Sequence, residues 1–543
     1  MKLKLLLALS FCAQSLIAQI NDGGSAPKSQ NLSLTENSIT NYQTTTTARV
    51  EHSSDKHQLY KIGQVLPLYI DFANERSNAV QTREGLIWRA KISSRGAKAL
   101  GLYFKNFKLP QGATLHVYSA DYKRVIGGFG AHNNNESGLF ATEPLAGESL
   151  IIEYFEPHNA EFQGVLVLEG VGHLLAFERS GGRDFNDSET CEINVNCSEG
   201  NGRTEQRDAV ARILVKVGAD LGWCSGTMVN NTAQDCKPYF LTAMHCGLTA
   251  SNTLTTTADL NLWIFYFNYQ ASGCTDPLIE PTSQTLTGAV MRANSNDAGG
   301  DSGSDFLLLE LNNNPPSNYG VYFAGWRNTN TAPLGGYGIH HPAGDIKKIS
   351  TFGILVTSGA WGTASNSHWL VDWTATANGT GVTEGGSSGS AIFNSSNQLV
   401  GTLTGGGSSC QTPAGGDAYG KFSYHWGSNG TATNRKLSPW LDPNNSGVST
   451  LAGTYAPCAT SINQIAQTQY SLFPNPNSSG IFSLDCPKDA DLLVFDALGR
   501  QLLSQPHQAG TSYIDISRQA AGIYFLQIQT ATGISSQRML LIK

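Results

Sequence analysis

The chain has 543 residues, more than one hydrophobic core organises, so several domains are expected. Its formal net charge is −7 and it carries no long basic run, which removes a nucleic-acid partner from consideration. After the N-terminal segment no apolar run reaches the roughly 18 residues that a membrane helix needs, so no transmembrane segment is expected.

Residues 1 to 18 carry Lys2 and Lys4, then the apolar run Leu5 to Phe11, then small residues ending at Ala18. That layout predicts a secretory signal peptide and therefore export. Cys12 follows Phe11 rather than a small residue, so it is read as ordinary signal sequence and not as a lipid anchor.

Residues about 20 to 60 are rich in Ser, Thr, Asn and Gln without periodicity and read as a leading segment with no core of its own. From Leu86 the texture changes. The runs at 86 to 92, 100 to 104, 114 to 118 and 150 to 155 are short, β-prone and separated by Gly, Pro and Asn signals. They predict a β-sandwich ending near Phe177, within a pro-region spanning 19 to 186 or, in the competing reading, a glycan- or protein-binding module. Ser180 to Asp187 is polar and glycine-containing, an expected linker and cleavage zone. Arg179 and Arg183 lie there, whereas no lysine occurs between Lys123 and Lys216.

The stretch from 187 to 456 alternates short apolar runs, such as 262 to 267 and 306 to 311, with Gly- and Asn-rich loops, an all-β pattern. Eight of the nine cysteines that follow the signal lie between Cys191 and Cys458: Cys191, Cys197, Cys224, Cys236, Cys246, Cys274, Cys410 and Cys458. An even number in an exported chain favours disulfides over metal ligation, and Cys486 is left over.

Two segments of this stretch carry chemistry. Leu-Thr-Ala-Met-His245-Cys246-Gly247 places a histidine at a strand end, and Gly385-Gly386-Ser387-Ser388-Gly389-Ser390 sets a serine in a glycine-rich turn where nothing bulky shields its hydroxyl. A serine hydroxyl becomes a useful nucleophile only when an imidazole removes its proton, which makes His245 the base for Ser388. A carboxylate must then hold the imidazole in one tautomer. Asp305 is the choice because it opens the strand-like run from Phe306 to Leu311, with Asp301 in reserve. Asp297, Asp301 and Asp305 lack the spacing of an EF-hand, so no metal is assigned. Backbone amides of Gly386 and Ser388 are the candidate oxyanion hole. The other eleven histidines, including His340 and His341, are read as structural.

With these residues in view, the region from Cys191 to about Asp442 resembles the bacterial lysyl endopeptidases, a branch of the chymotrypsin-like double β-barrel serine proteases. The shared text includes CEINVNCSEG, MVNNTAQDCKPYFLTAMHCG, SDFLLLELNN, IHHPAGDIKKIS, GVTEGGSSGS, DAYG and LSPWLDP. The resemblance implies a His245, Asp305 and Ser388 triad that needs no cofactor, and cleavage after lysine directed by Asp417. Glu384 is a lesser source of that charge, because position 382, six residues before Ser388, is valine. It also implies that Trp361 lies beside the catalytic histidine, and that disulfides join Cys191 to Cys410, Cys197 to Cys274 and Cys224 to Cys246. Cys236 and Cys458, left over in the domain, are then expected to form a fourth bridge. The chain departs from well-known members at Thr404, Ala391 and Met244, and Ser387 stands where well-studied zymogens place an aspartate.

Residues 468 to 543 hold the segments FPNP, DALGR, GIYFLQI and a basic-then-apolar end. They resemble the immunoglobulin-like sorting domain of type IX secretion. The expected whole is an exported, monomeric serine endopeptidase acting on peptide or protein substrates and delivered by secretion machinery. The competing class is an inactive barrel whose β-sandwich grips glycans or proteins at the cell surface.

Overall fold

The computed structural model describes residues 27–32, 39–46, 48, 58–119, 123–175, 185–458, 471–497, 499–530 and 533–542. The signal-peptide reading and both linker arginines, Arg179 and Arg183, lie outside the described residues. Strands dominate, and the helices are single turns such as Thr204–Ala209 and Phe422–Gly427. No helix among the described residues is long and apolar enough to cross a membrane. The chain forms two compact units, one up to Cys458 and one after it.

The N-terminal sandwich follows from period-2 burial. In Gly85–Ser93 the side chains of Trp88, Ala90 and Ile92 enter one core with Leu100, Leu102 and Phe104 from Ala99–Lys108. Gly85–Ser93 pairs with Ser149–Pro157, and that strand with Thr114–Ser119, to make one layer. The other layer runs from Tyr60–Asp71 through Val165–Leu174 to Ala99–Lys108. The four β-prone runs fall inside these strands. Tyr60–Asp71, which the sequence did not single out, is the longest of them and does two jobs: its far edge pairs with Asp220–Met228 of the next β-region.

That region closes two barrels. In the first, Val210–Val217, Asp220–Met228, Tyr239–Thr242 and Leu307–Leu311 pair in sequence, flanked by Ile264–Phe267 and Ala289–Asn294. Ala211, Ile213 and Val215 point into it with Phe240, Trp263 and Phe265, whereas Val210 faces a cluster shared with Ile339, Ile349 and Phe393 of the second barrel. The second barrel orders Lys348–Leu355, Leu334–His340, Ala391–Asn394, Leu399–Gly405, Asp417–Lys421 and His368–Val371. The shared cluster locks the barrels together, so loops at their junction are held by two cores. The described cysteines pair as Cys191–Cys410, Cys197–Cys274, Cys224–Cys246 and Cys236–Cys458, and Cys486 is free and buried.

The second unit is a sandwich of its own. One sheet holds Ser471–Phe473, Ile481–Cys486 and Gly510–Asp515, the other Gln501–His507, Ala490–Phe495, Gly522–Thr530 and Gly533–Leu541. Phe482, Leu484, Leu492, Val494, Ile514 and Leu526 fill the space between them.

Candidate active site

His245 sits in the single 3-10 turn Met244–Gly247 that ends the Tyr239–Thr242 strand, and the Cys224–Cys246 bridge ties that turn to the neighbouring strand. Asp305 meets it twice. One carboxylate oxygen accepts the His245 backbone N–H at 2.9 Å, and the other lies 2.6 Å from Nδ1. Both side chains are buried. A carboxylate at Nδ1 places the imidazole proton there and leaves Nε2 as the basic nitrogen.

The backbone of Asp305 is left-handed, with φ of 56°, an uncommon state for a residue with a side chain. Three hydrogen bonds hold it. The Asp305 N–H donates to Asp297 at 2.8 Å, the Phe306 N–H to the Ser295 hydroxyl at 3.1 Å, and the Ser304 N–H to Asn429 at 3.2 Å. The Asp297 oxygens are taken up by Ser295, Gly299 and Asp305, not turned toward a common cation. Burial, with the charge of Asp305 beside it, pushes the Asp297 carboxyl above its ordinary pKa. Behind Asp305, Ser304 Oγ lies 2.7 Å from His425 Nδ1, and His425 Nε2 lies 3.0 Å from Thr402 Oγ1 on the second barrel. Burial drives His425 down to about 3, so this bridge between barrels is neutral.

The nucleophile turn is built where a Cβ has no room. Gly386 and Gly389 have φ of 95° and 78°, and a Cβ on Gly389 would lie 2.6 Å from both Ala243 N and Ser225 O. The turn is therefore pressed against the strand end that carries His245. Ser225 clamps it by donating its N–H to Ser388 O at 2.8 Å and its hydroxyl to Gly386 O at 2.9 Å. The Sγ of Cys246, next to His245, lies 3.8 Å from Ser388 O. Ser387 takes a structural part: its hydroxyl accepts the Glu384 N–H at 3.2 Å and lies 2.8 Å from His340 Nδ1, whose Nε2 reaches Ser350 at 2.9 Å. His340 thereby braces the turn, a positioning task that its sequence neighbours did not reveal.

Asp417 is fully buried where Asp417–Lys421 begins, one strand over from Leu403, whose carbonyl accepts the Gly389 N–H. Its carboxylate accepts from Trp373 Nε1 at 2.7 Å, Thr383 Oγ1 at 2.7 Å, and Ser408 N and Oγ at 3.1 and 2.5 Å. Those donors are uncharged, so they fix the carboxylate without neutralising it. The second candidate for this charge, Glu384, is engaged elsewhere. It accepts the Glu189 N–H at 2.8 Å, and its charge is the largest cause after burial for the raised pKa of Glu192.

Asp301, the reserve acid, is exposed, and it is its carbonyl that matters, accepting the Thr363 N–H at 2.7 Å. That contact docks the Trp361 loop. Trp361, Thr404 and the Asp305 Cβ converge on Gly300, where an added Cβ would meet them at 3.3, 3.2 and 3.3 Å. The tryptophan is half-buried and packs around the acid's side of the site. Thr404 is backed by His368, with 3.0 Å between Oγ1 and Nε2. Sequence reasoning weighed Asp297 only as a metal or triad acid and missed its hold on the Asp305 backbone, and it passed over Ser408 together with His425, Thr383 and Trp373, whose partners lie 23 to 121 positions away.

A family model described as "Lysyl endopeptidase, C-terminal domain" matches residues 185–420, and one described as "Secretion system C-terminal sorting domain" matches residues 471–543. A lysyl endopeptidase of Pseudomonas aeruginosa is 30% identical over 345 residues, covering 60% of this chain and 70% of the relative. Among solved structures, the thermostable serine protease AL20 from an extremophilic microorganism aligns with 42% of this chain and 96% of its own at 14% identity and a TM-score of 0.30. A Glu endopeptidase aligns with 44% and 92% at 16% identity and a TM-score of 0.28. Both structural likenesses are slight, and the assignment rests on the family model and the curated relative. The chain belongs to the lysyl endopeptidase family of serine proteases, and its C-terminal sorting domain marks it for type IX secretion.

Proposed function

We propose that this protein is a secreted endopeptidase that cleaves after a basic residue, lysine foremost, with Ser388 as nucleophile, His245 as base and Asp305 as the acid that orients it. The observation that carries the reading is the double contact of Asp305 with the backbone and ring of His245, in a turn pressed against the Ser388 loop. Ser388 Oγ attacks the scissile carbonyl while Nε2 takes its proton, and Asp305 stabilises the imidazolium. Amides of Gly386 and Ser388 receive the oxyanion, a device whose single donors are worth about 10²- to 10³-fold in rate. The tetrahedral adduct collapses as Nε2 returns the proton to the leaving amine, and water then releases the acyl group by the same route.

Asp417 accounts for the basic preference. A lysine ammonium entering a closed pocket needs a fixed anion, and the Asp417 carboxylate, fixed by the uncharged donors of Trp373, Thr383 and Ser408, supplies it. The chain is then read as signal (1–18), pro-region (19–186), protease (187–456) and sorting domain (468–543), with peptide substrates and secretion machinery as partners. Fluorophosphonate labelling of processed protein tests the nucleophile, and the expected result is one adduct, on Ser388. Paired peptides differing only in Lys or Arg before the cleaved bond test the pocket. Equal rates on the two would remove the lysine preference, and absence of the adduct would remove the triad.

A further inference from the structure

The Tyr60–Asp71 strand is an element that neither the triad nor the pocket of Asp417 uses, yet it reaches the reaction centre. Tyr60 pairs antiparallel with Trp223 and Lys61 with Gly222, on the strand whose next residues are Cys224 and the clamp Ser225. Leu59 is buried in the cluster that contains Cys224 and Cys246, the bridge beside His245. It lies so close over Gly222 that a Cβ there would be 2.5 Å from Leu59 Cγ. The Tyr60 ring covers Gly385, where a Cβ would be 2.5 Å from Tyr60 Cδ2, one residue before the oxyanion glycine. Lys61 Nζ lies 2.7 Å from Asp220. Gln58, one residue upstream, is exposed.

Resting on the proposed function, we infer that Leu59, Tyr60 and Lys61 occupy the groove for the first three residues after the cleaved bond, and that this segment both blocks the groove and displays its preference. The chain would lie there as a bound peptide lies, adding a strand to the open edge of Asp220–Met228, where main-chain bonds give affinity and alternate side chains give selectivity. Leu59 against the bridge, Tyr60 over the glycine turn and Lys61 beside Asp220 specify a peptide reading apolar, aromatic, basic beyond the bond. The segment itself is not presented for cleavage, because its exposed Gln58 brings no cation to Asp417. In this arrangement the described segment covers the leaving-group side.

The test compares a lysyl aminomethylcoumarin, which offers nothing peptidic beyond the bond, with a quenched peptide carrying four residues there. Unprocessed protein is expected to hydrolyse the first but to lose at least 10²-fold in kcat/KM on the second relative to processed enzyme. The Leu59→Gly/Tyr60→Gly variant should recover 10-fold or more on the extended peptide and leave the short substrate unchanged. Processed wild-type enzyme should favour Leu-Tyr-Lys over Gly-Gly-Gly beyond the bond by about 10-fold, a measurement that does not depend on the variant's folding. Equal handling of short and extended substrates by the unprocessed chain, or no preference in the processed enzyme, overturns the inference. Failure of fluorophosphonate to label any form of the protein would instead overturn the proposed function.

Discussion

The two barrels bury the same functional group in opposite ways. At the rim of the first, Asp305 directs both oxygens at one residue, His245, from a left-handed backbone held by bonds from three flanking amides. In the second, Asp417 starts an ordinary strand and collects donors from Trp373, Thr383 and Ser408, three separate segments. The difference teaches what each carboxylate is for. One set of contacts fixes the direction of a hydrogen bond, so geometry dominates. The other set holds a carboxylate in place from three segments, which is what the proposed lysine pocket requires.

The contrast breaks first at the nucleophile and its orienter. Ser388→Ala is expected to lower kcat by about 10⁶-fold, and Asp305→Asn by about 10⁴-fold because the amide can hold the wrong tautomer of His245. Neither change should alter the ranking of side chains before the bond, and a rate near wild type for Asp305→Asn would sink the orienting role. Asp417→Asn should do the reverse. Leaving a substrate ammonium without its anion costs about 3–5 kcal/mol, so kcat/KM on lysine substrates should fall roughly 10²- to 10⁴-fold. Fluorophosphonate labelling, which needs only the triad, should persist. Loss of labelling in Asp417→Asn would mean that the two regions are not separable.

What the sequence disclosed follows this division. His245, Asp305 and Ser388 were nominated from the sequence because each is written in a local pattern: a strand end with a cysteine, an acid opening an apolar run, a glycine turn. Their supports were not. Ser304 meets His425 across 121 positions and Ser387 meets His340 across 47, and no periodicity in a single chain pairs such residues. The Tyr60–Asp71 strand was missed because Gly63 and Pro67 interrupt its alternation, and its partner strand begins 149 residues after it ends, at Asp220. Trp361 was placed beside the histidine by resemblance, and its ring and the Asp305 Cβ both border Gly300.

Asp297 sharpens the geometric side of the comparison. Asp297→Asn keeps one acceptor oxygen but turns an amide N–H toward a donor, either the Asp305 backbone or the Ser295 and Gly299 pair. The left-handed state of Asp305 then loses a support, and kcat should fall about 10-fold with KM unchanged. The pH dependence gives an independent reading. Because the folded carboxyl titrates above its unfolded value, its contribution to stability is full below about pH 4 and is lost as pH rises through the raised value. Unfolding midpoints measured against pH in a Ser388→Ala background should decline less steeply for Asp297→Asn.

The smallest effect concerns a buried charge with no catalytic task. Lys347, just before the Lys348–Leu355 strand, donates from Nζ to the Arg207 carbonyl at 2.8 Å and is fully buried. Burial pushes it down to about 7, a shift that Asp208 opposes and Arg207 reinforces. The folded chain therefore binds this proton less tightly than the unfolded chain does. Stability should rise as pH climbs from about 7 toward the ordinary lysine value near 10.4, and be lowest where the ammonium must be kept charged in the core. Lys347→Met fills a similar volume without the charge, so it should raise Tm at pH 7 by a few degrees and flatten the slope above it, with kcat/KM unchanged. A lowered Tm at pH 7 would show instead that the bond to Arg207 outweighs the cost of burying the charge, and would make Lys347 a counterpart of Asp417, a buried ion secured by its donors and acceptors.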